Sequence, residues 1–186
     1  MKSTIQEPSK THGTRTALPD TTPDPTIDGV SHDLPLEEQK GIIALLNQRL
    51  AESIDLSSQI KQAHWNVKGH NFLNLHELFD RVHAANESYV DMIGERIAQL
   101  NGFAEGTIRI AAARSRLSDH QVGQIHASDH IEEISRSMRA FRNEVRGTIA
   151  EADDVDDIET VDIFTDISRG LDKWLWYLEA HTQVKK

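Results

Sequence analysis

The chain has 186 residues, with 30 acidic side chains against 20 basic ones, a net charge of −10 and no cysteine. That length supports one sizeable core, and the negative balance disfavours broad nucleic-acid binding, which needs lysines and arginines to displace counterions, while favouring attraction of cations. Without cysteine there is no disulfide framework and no thiolate metal site, and no apolar run approaches the roughly 18 residues of a membrane span.

Residues 1–34 read as a flexible polar tail, rich in Thr, Ser, Pro and Asp and without apolar period. The tail is acidic on balance: Lys2, Lys10 and Arg15 face Glu7, Asp20, Asp24, Asp28 and Asp33. No apolar leader opens it, so a cytoplasmic location is expected. All five prolines fall within the first 35 residues, which leaves the body, residues 35–183, free to be helical. A short end, residues 184–186, closes the chain with Lys185 and Lys186.

A first long helix is expected from Pro35 or Leu36 to Val67, with Pro35 suited to the first turn and Gly69 to the stop. Ile43, Leu46, Leu50, Ile54 and Ser57 mark one inward stripe, and Leu56, Ile60 and His64 another. A second helix runs from Phe72 to Asn101 on the stripe Leu75, Phe79, Val82, Asn86, Tyr89, Ile93, Ile97 and Leu100. A long crossover follows to about Ile125, with a short helix near Ile108 to Arg114. The third long helix takes Ala127 to Ala152, capped by Ser128 or Asp129. After an acidic run, Glu151 to Asp162, the fourth spans Thr160 to His181 on Phe164, Ile167, Leu171, Trp174 and Leu178. The fold class is therefore all-α. Four long helices with a long connection between the second and third suggest a ferritin-like four-helix bundle.

Candidate metal ligands line the second helix. His76–Asp80 and Asp91–Glu95 are each spaced i, i+4, so each pair shares a face, and His64 lies twelve residues upstream. Imidazole and carboxylate suit iron, zinc or manganese. The pairs start fifteen residues apart, roughly 22 Å along a straight helix but on nearly the same face. One helix cannot bring them to a common ion. A second copy, antiparallel, would set His76–Asp80 of one chain against Asp91–Glu95 of the other, and the small Ala84, Ala85 and Ser88 near the midpoint would let the backbones approach. Taken singly, each pair reads as a solvated surface pair; the combination is what points to metal. The Glu-x-x-His motif of intrachain di-iron bundles occurs nowhere in the chain.

The string Lys61-Gln62-Ala63-His64-Trp65-Asn66, then Asn71-Phe72, His76-Glu77, Asp80, Asp91 and Glu95, resembles the Dps mini-ferritins, and Leu171-Asp172-Lys173-Trp174-Leu175-Trp176 is similar to that family's last helix. The resemblance covers Leu36 to His181. It implies a shell of twelve identical subunits with ferroxidase sites at two-fold interfaces. His64, His76 and Asp80 would come from one subunit, and Asp91 and Glu95 from its mate. It implies oxidation of Fe(II), preferably by hydrogen peroxide, and storage of the ferric mineral, with protection from oxidative damage; zinc is a competing ion. Trp65 would be a sacrificial electron donor, or an aromatic packing an interface. The acidic run would line a pore admitting iron, with Asp157 and Asp162 the leading candidates, or be a solvated loop at a helix N-terminus. Glu77 would nucleate mineral or form a salt bridge.

Other histidines carry weaker signals. His126 and His130 are i, i+4 and suit zinc or plain exposure; His83 could meet its own mate or pair with Glu87; His12, His32 and His70 fall in the tail or a loop. Two further readings stand beside the ferroxidase: a DNA-binding nucleoid protein of the same family, and a zinc-binding helical oligomer without turnover. DNA-binding members of the family often use a lysine-rich N-terminal tail, and this tail is acidic on balance. A plasmid shift assay at moderate salt and neutral pH is expected to show free plasmid; retarded plasmid would overturn that expectation.

Overall fold

A computed structural model describes residues 33–123 and 126–181. The tail to residue 32, with His12 and His32, and the residues from 182 onward, with Lys185 and Lys186, lie outside the described residues. Five helices follow in order: α1 (Leu36–Asn66), α2 (Phe72–Gln99), α3 (Ile108–Arg114), α4 (Ala127–Asp153) and α5 (Ile158–Ala180). The four long ones form the expected bundle, and α3 is the short helix of the crossover. No helix among the described residues is long and apolar enough to cross a membrane.

Helix α1 is the element around which the others gather. It packs against α2, α3 and α4, while α5 closes the bundle on α2 and α4. Ile42, Leu46, Leu50, Leu56 and Ile60 are buried from α1, and Phe79, Ile93, Phe141, Phe164 and Leu171 from the others. Covered on several sides, α1 also buries polar residues. Arg49 reaches Glu144 of α4 at 2.5 Å and Glu52 at 3.2 Å. Burial raises the Glu52 carboxyl above its ordinary range, against the pull of Arg49.

Asn86 sits on the apolar stripe of α2, and the structure shows why it is tolerated. Its Nδ2 donates to Ser53 O at 2.8 Å and Ser57 Oγ at 2.7 Å, and Ser57 Oγ donates to Glu87 at 2.6 Å. A buried amide left unpaired costs roughly 1–3 kcal/mol, so this rung fixes one register of α1 against α2. The turn between them passes through Gly69 at φ 112°, a conformation that suits glycine.

The helix ends fall within two residues of the sequence expectation, and two N-termini differ in how they are capped. The N-cap of α4 is His126 rather than Ser128 or Asp129; Ser128 Oγ instead donates to Asp129 at 3.2 Å. Helix α5 begins at Ile158, two residues earlier than expected, because Asp157 is its N-cap and accepts from Thr160 N at 3.2 Å and Thr160 Oγ1 at 2.6 Å. The same carboxylate holds Arg96 of α2 at 2.6 Å, with Asp157 only 2% exposed.

Helix α5 meets the Tyr89 side chain of α2 at Gly170. A Cβ there would stand 1.9 Å from Tyr89 Oη, and that oxygen also accepts a hydrogen bond from Trp174. Glycine is therefore kept mid-helix despite its cost in helix propensity. Gly170→Ala is expected to destabilise the protein by about 1–3 kcal/mol through overpacking. In a Tyr89→Phe background that penalty should shrink; thermal unfolding of the four proteins measures the coupling.

Candidate metal centre

The α1–α2 hairpin brings His64 and His76 together across its closed end. His64 Nδ1 lies 2.8 Å from His76 O, and His76 Nδ1 lies 2.9 Å from His64 O. A carbonyl oxygen only accepts, so both Nδ1 atoms carry the proton. Each ring therefore keeps its lone pair on Nε2, the tautomer a metal ligand needs. The rings stack with centroids 3.7 Å apart, and His64 is only 9% exposed.

Asp80 lies one turn further along α2 and is exposed. Its Oδ1 is 2.5 Å from Lys61 Nζ and 4.0 Å from His64 Nδ1. The Lys61 hydrogen bond holds the Asp80 carboxyl below its usual range, so Asp80 is anionic at neutral pH. His64 thus stands between His76, stacked on its ring, and Asp80 at 4.0 Å, with Lys61 as the counter-ion of Asp80.

Asp91 and Glu95 are exposed at the other end of α2. They line an open groove of about 710 Å³ floored by Leu50 and Ile54 and edged by Gly94, Ala98 and Gly106. Within one chain they do not join the histidine group. Among the described residues, no three histidine, aspartate or glutamate side chains are grouped so as to hold a metal. Trp65 is 68% exposed beside the histidines, and Phe72 and Leu73 are exposed nearby, an apolar rim around the half-site.

Other candidate residues have their own placements. His83 Nε2 is 3.7 Å from Glu87 in the same chain, and burial lowers its pKa against the pull of Glu87. Glu77 pairs with Arg81 at 3.8 Å. Asp162 is exposed on the first turns of α5. The structure gives Asp157 a different task from lining a pore, since both its oxygens are taken by Arg96 and Thr160 in the interior. His130 does not face His126; it is buried against His120, with ring centroids 5.6 Å apart. Sequence reasoning missed Lys61 as the partner of Asp80. Its spacing of three residues from His64 on one helix face was the available signal.

Residues 43–186 match the family model of the Ferritin-like domain. A DNA protection during starvation protein of Agrobacterium fabrum is 38% identical over 154 residues, which span 83% of this chain and 95% of that protein. The chain belongs to the Dps family of ferritin-like proteins. DpsA14 from Streptomyces coelicolor has the same fold with a TM-score of 0.79 at 28% identity, covering 88% of this chain and 94% of its own. A Dps from Microbacterium arborescens, solved in a high-iron form, gives a TM-score of 0.74 at 30% identity over 80% of this chain and 96% of its own. Membership in Dps places the chain among ferritin-like proteins of iron storage and DNA protection.

In the free subunit Lys61 occupies Asp80, so a metal binding there would compete with it. Exposed ion pairs contribute little. Lys61→Met is therefore expected to tighten Co(II) binding to the assembled protein by at most about five-fold, read by calorimetry; weaker binding would mean that Lys61 helps to build the half-site.

Proposed function

We propose that this Dps-family protein is a ferroxidase and iron store whose sites are shared between two subunits. The observation that carries the reading is the reciprocal pair of Nδ1–carbonyl hydrogen bonds, which leaves the Nε2 lone pairs of His64 and His76 for a metal, with Asp80 Oδ1 4.0 Å from His64 Nδ1. Three donors from one chain are too few to enclose an ion, and the exposed Asp91 and Glu95 lie roughly 22 Å along α2 from them. An antiparallel mate of α2 would bring its Asp91 and Glu95 to this group.

Iron is the substrate. His64 and His76 are neutral donors, Asp80 and the mate's Glu95 the principal anionic ones, and the mate's Asp91 a carboxylate beside them. Borderline imidazoles with hard carboxylates hold Fe(II) moderately and favour Fe(III) as it forms. Two Fe(II) ions each give up one electron; one hydrogen peroxide takes both with two protons, breaks its O–O bond and leaves as two waters. Ferric ion then hydrolyses to mineral inside the assembly, a shell of twelve subunits in this reading. Ferrous iron and peroxide are both consumed, so less hydroxyl radical forms. Trp65, exposed next to His64, is placed to donate an electron or to pack against the mate. Asp162 is the remaining candidate for a pore that admits iron. Zinc, with the same ligand preferences, would compete. DNA binding is weak or absent in this reading, and the setting is cytoplasmic.

Sharing has a sharp consequence in mixed assemblies. Anaerobic Fe(II) given stoichiometric peroxide should oxidise quickly with wild type, and slowly with His64→Ala/His76→Ala or Asp91→Ala/Glu95→Ala. Co-assembling the two variants in equal amounts should restore about a quarter of the sites, since each needs one intact half from each partner. No recovery in co-assembled shells would remove the shared site. Equal slow rates in all samples, wild type included, would remove the ferroxidase and leave a structural or zinc-binding cluster.

A further inference from the structure

Far from the candidate metal centre, the crossover between α3 and α4 is fastened by a buried cluster that the iron chemistry does not use. His120, on the crossover, has a side chain only 5% exposed and places Nδ1 3.1 Å from Glu133 Oε2 on α4. His130, one turn before Glu133, is 1% exposed and lies parallel to the His120 ring within 9°. Gln121 N donates to the same Glu133 oxygen at 3.2 Å, and Arg136 approaches the other at 3.9 Å. On the α1 side, Gln59 donates to Ser118 O at 3.0 Å and accepts from Ser137 at 2.8 Å. Asp55 of α1 accepts from Ser115 and from Gln59. Asp119, on the crossover itself, is exposed. The Glu133 carboxylate therefore faces the buried His120 imidazole, which stacks on the buried His130, with the half-exposed Arg136 guanidinium at the rim.

We propose that His120, His130 and Glu133 form an acid-released clasp, which holds the crossover onto α1 and α4 at neutral pH and frees it on acidification. With both rings neutral, the layer carries one carboxylate and one nearby guanidinium. With both protonated, it carries two more positive charges without water to screen them, and release of the segment hydrates all of them. Burial, then His130 and Arg136, push the His120 pKa down from 6.5, while Glu133 resists. A freed His120 takes its proton near the ordinary value, about 6.5. The docked state thus binds fewer protons than the released one just below that pH. Docking is at full strength above it and weakens as pH falls through the interval down to the lowered value. The clasp also bears on the other end of the crossover. His126 forms a backbone bridge with Lys68, in the turn that joins the helices of His64 and His76.

Amide hydrogen exchange by mass spectrometry on the assembled, chelator-treated full chain tests this. After correction for intrinsic rates, peptides within 115–123 should lose about ten-fold protection per pH unit for each proton taken up, below about pH 6.5. Peptides from the middle of α2 should hold theirs. Exchange at the imidazole carbon, on the same samples, should give His120 a midpoint below the ordinary imidazole value of about 6.5. In His120→Gln the amide step should vanish, and in His130→Gln it should become shallower. Constant protection from about pH 7.5 to 5.5, an undiminished step in His120→Gln, or a His120 midpoint at or above about 6.5 would each overturn the clasp.

Discussion

A helix that rises about 1.5 Å per residue cannot bring two points fifteen residues apart to one ion. Helix α2 carries His76–Asp80 and Asp91–Glu95 at that separation, and it is continuous from Phe72 to Gln99. Every other property of the centre follows from that distance. In the proposed reading the histidine group is completed from outside the chain, and the carboxylates serve a neighbouring copy. The exposed Trp65, Phe72 and Leu73 then read as a surface awaiting a partner.

Within the chain, the fold's task is to hold each half rigid before any partner arrives. The hairpin turn at Gly69 sets His64 against His76, and the two carbonyl hydrogen bonds fix their rings. Further along, Asn86 with Ser53 and Ser57 prevents α1 from sliding on α2. Beyond that, Arg96 and Asp157 tie α2 to the start of α5. The polar groups in this core serve alignment as much as stability, since each would be left unpaired by a one-turn slip.

Helices were legible in the sequence because their signals are local. Prolines stop at Pro35, apolar stripes recur at helical spacing, and Gly69 breaks the first hairpin. The i, i+4 histidine and carboxylate pairs were visible as spacings for the same reason, and the Ferritin-like match and Dps relatives agree with the four-helix layout. What failed was partnership between distant residues. Asp157 looked like one more member of an acidic run; its partner Arg96 lies 61 positions earlier, and composition cannot tell a buried cap from a solvated neighbour. His130 was set beside His126 by its i, i+4 spacing, yet the crossover supplies His120 to the opposite face. In both cases the residue was claimed by a segment that only the tertiary fold brings near.

The reciprocal bonds of His64 and His76 also settle where protons go. Each imidazole has already lodged its hydrogen on a main-chain oxygen, so an arriving cation displaces none from either neutral ring. In the proposed reading the ion would displace Lys61, the tethered ammonium that holds the Asp80 carboxylate in the free subunit. A divalent ion would then stand where a single positive charge stood, so Lys61 already supplies part of the charge that the carboxylate calls for.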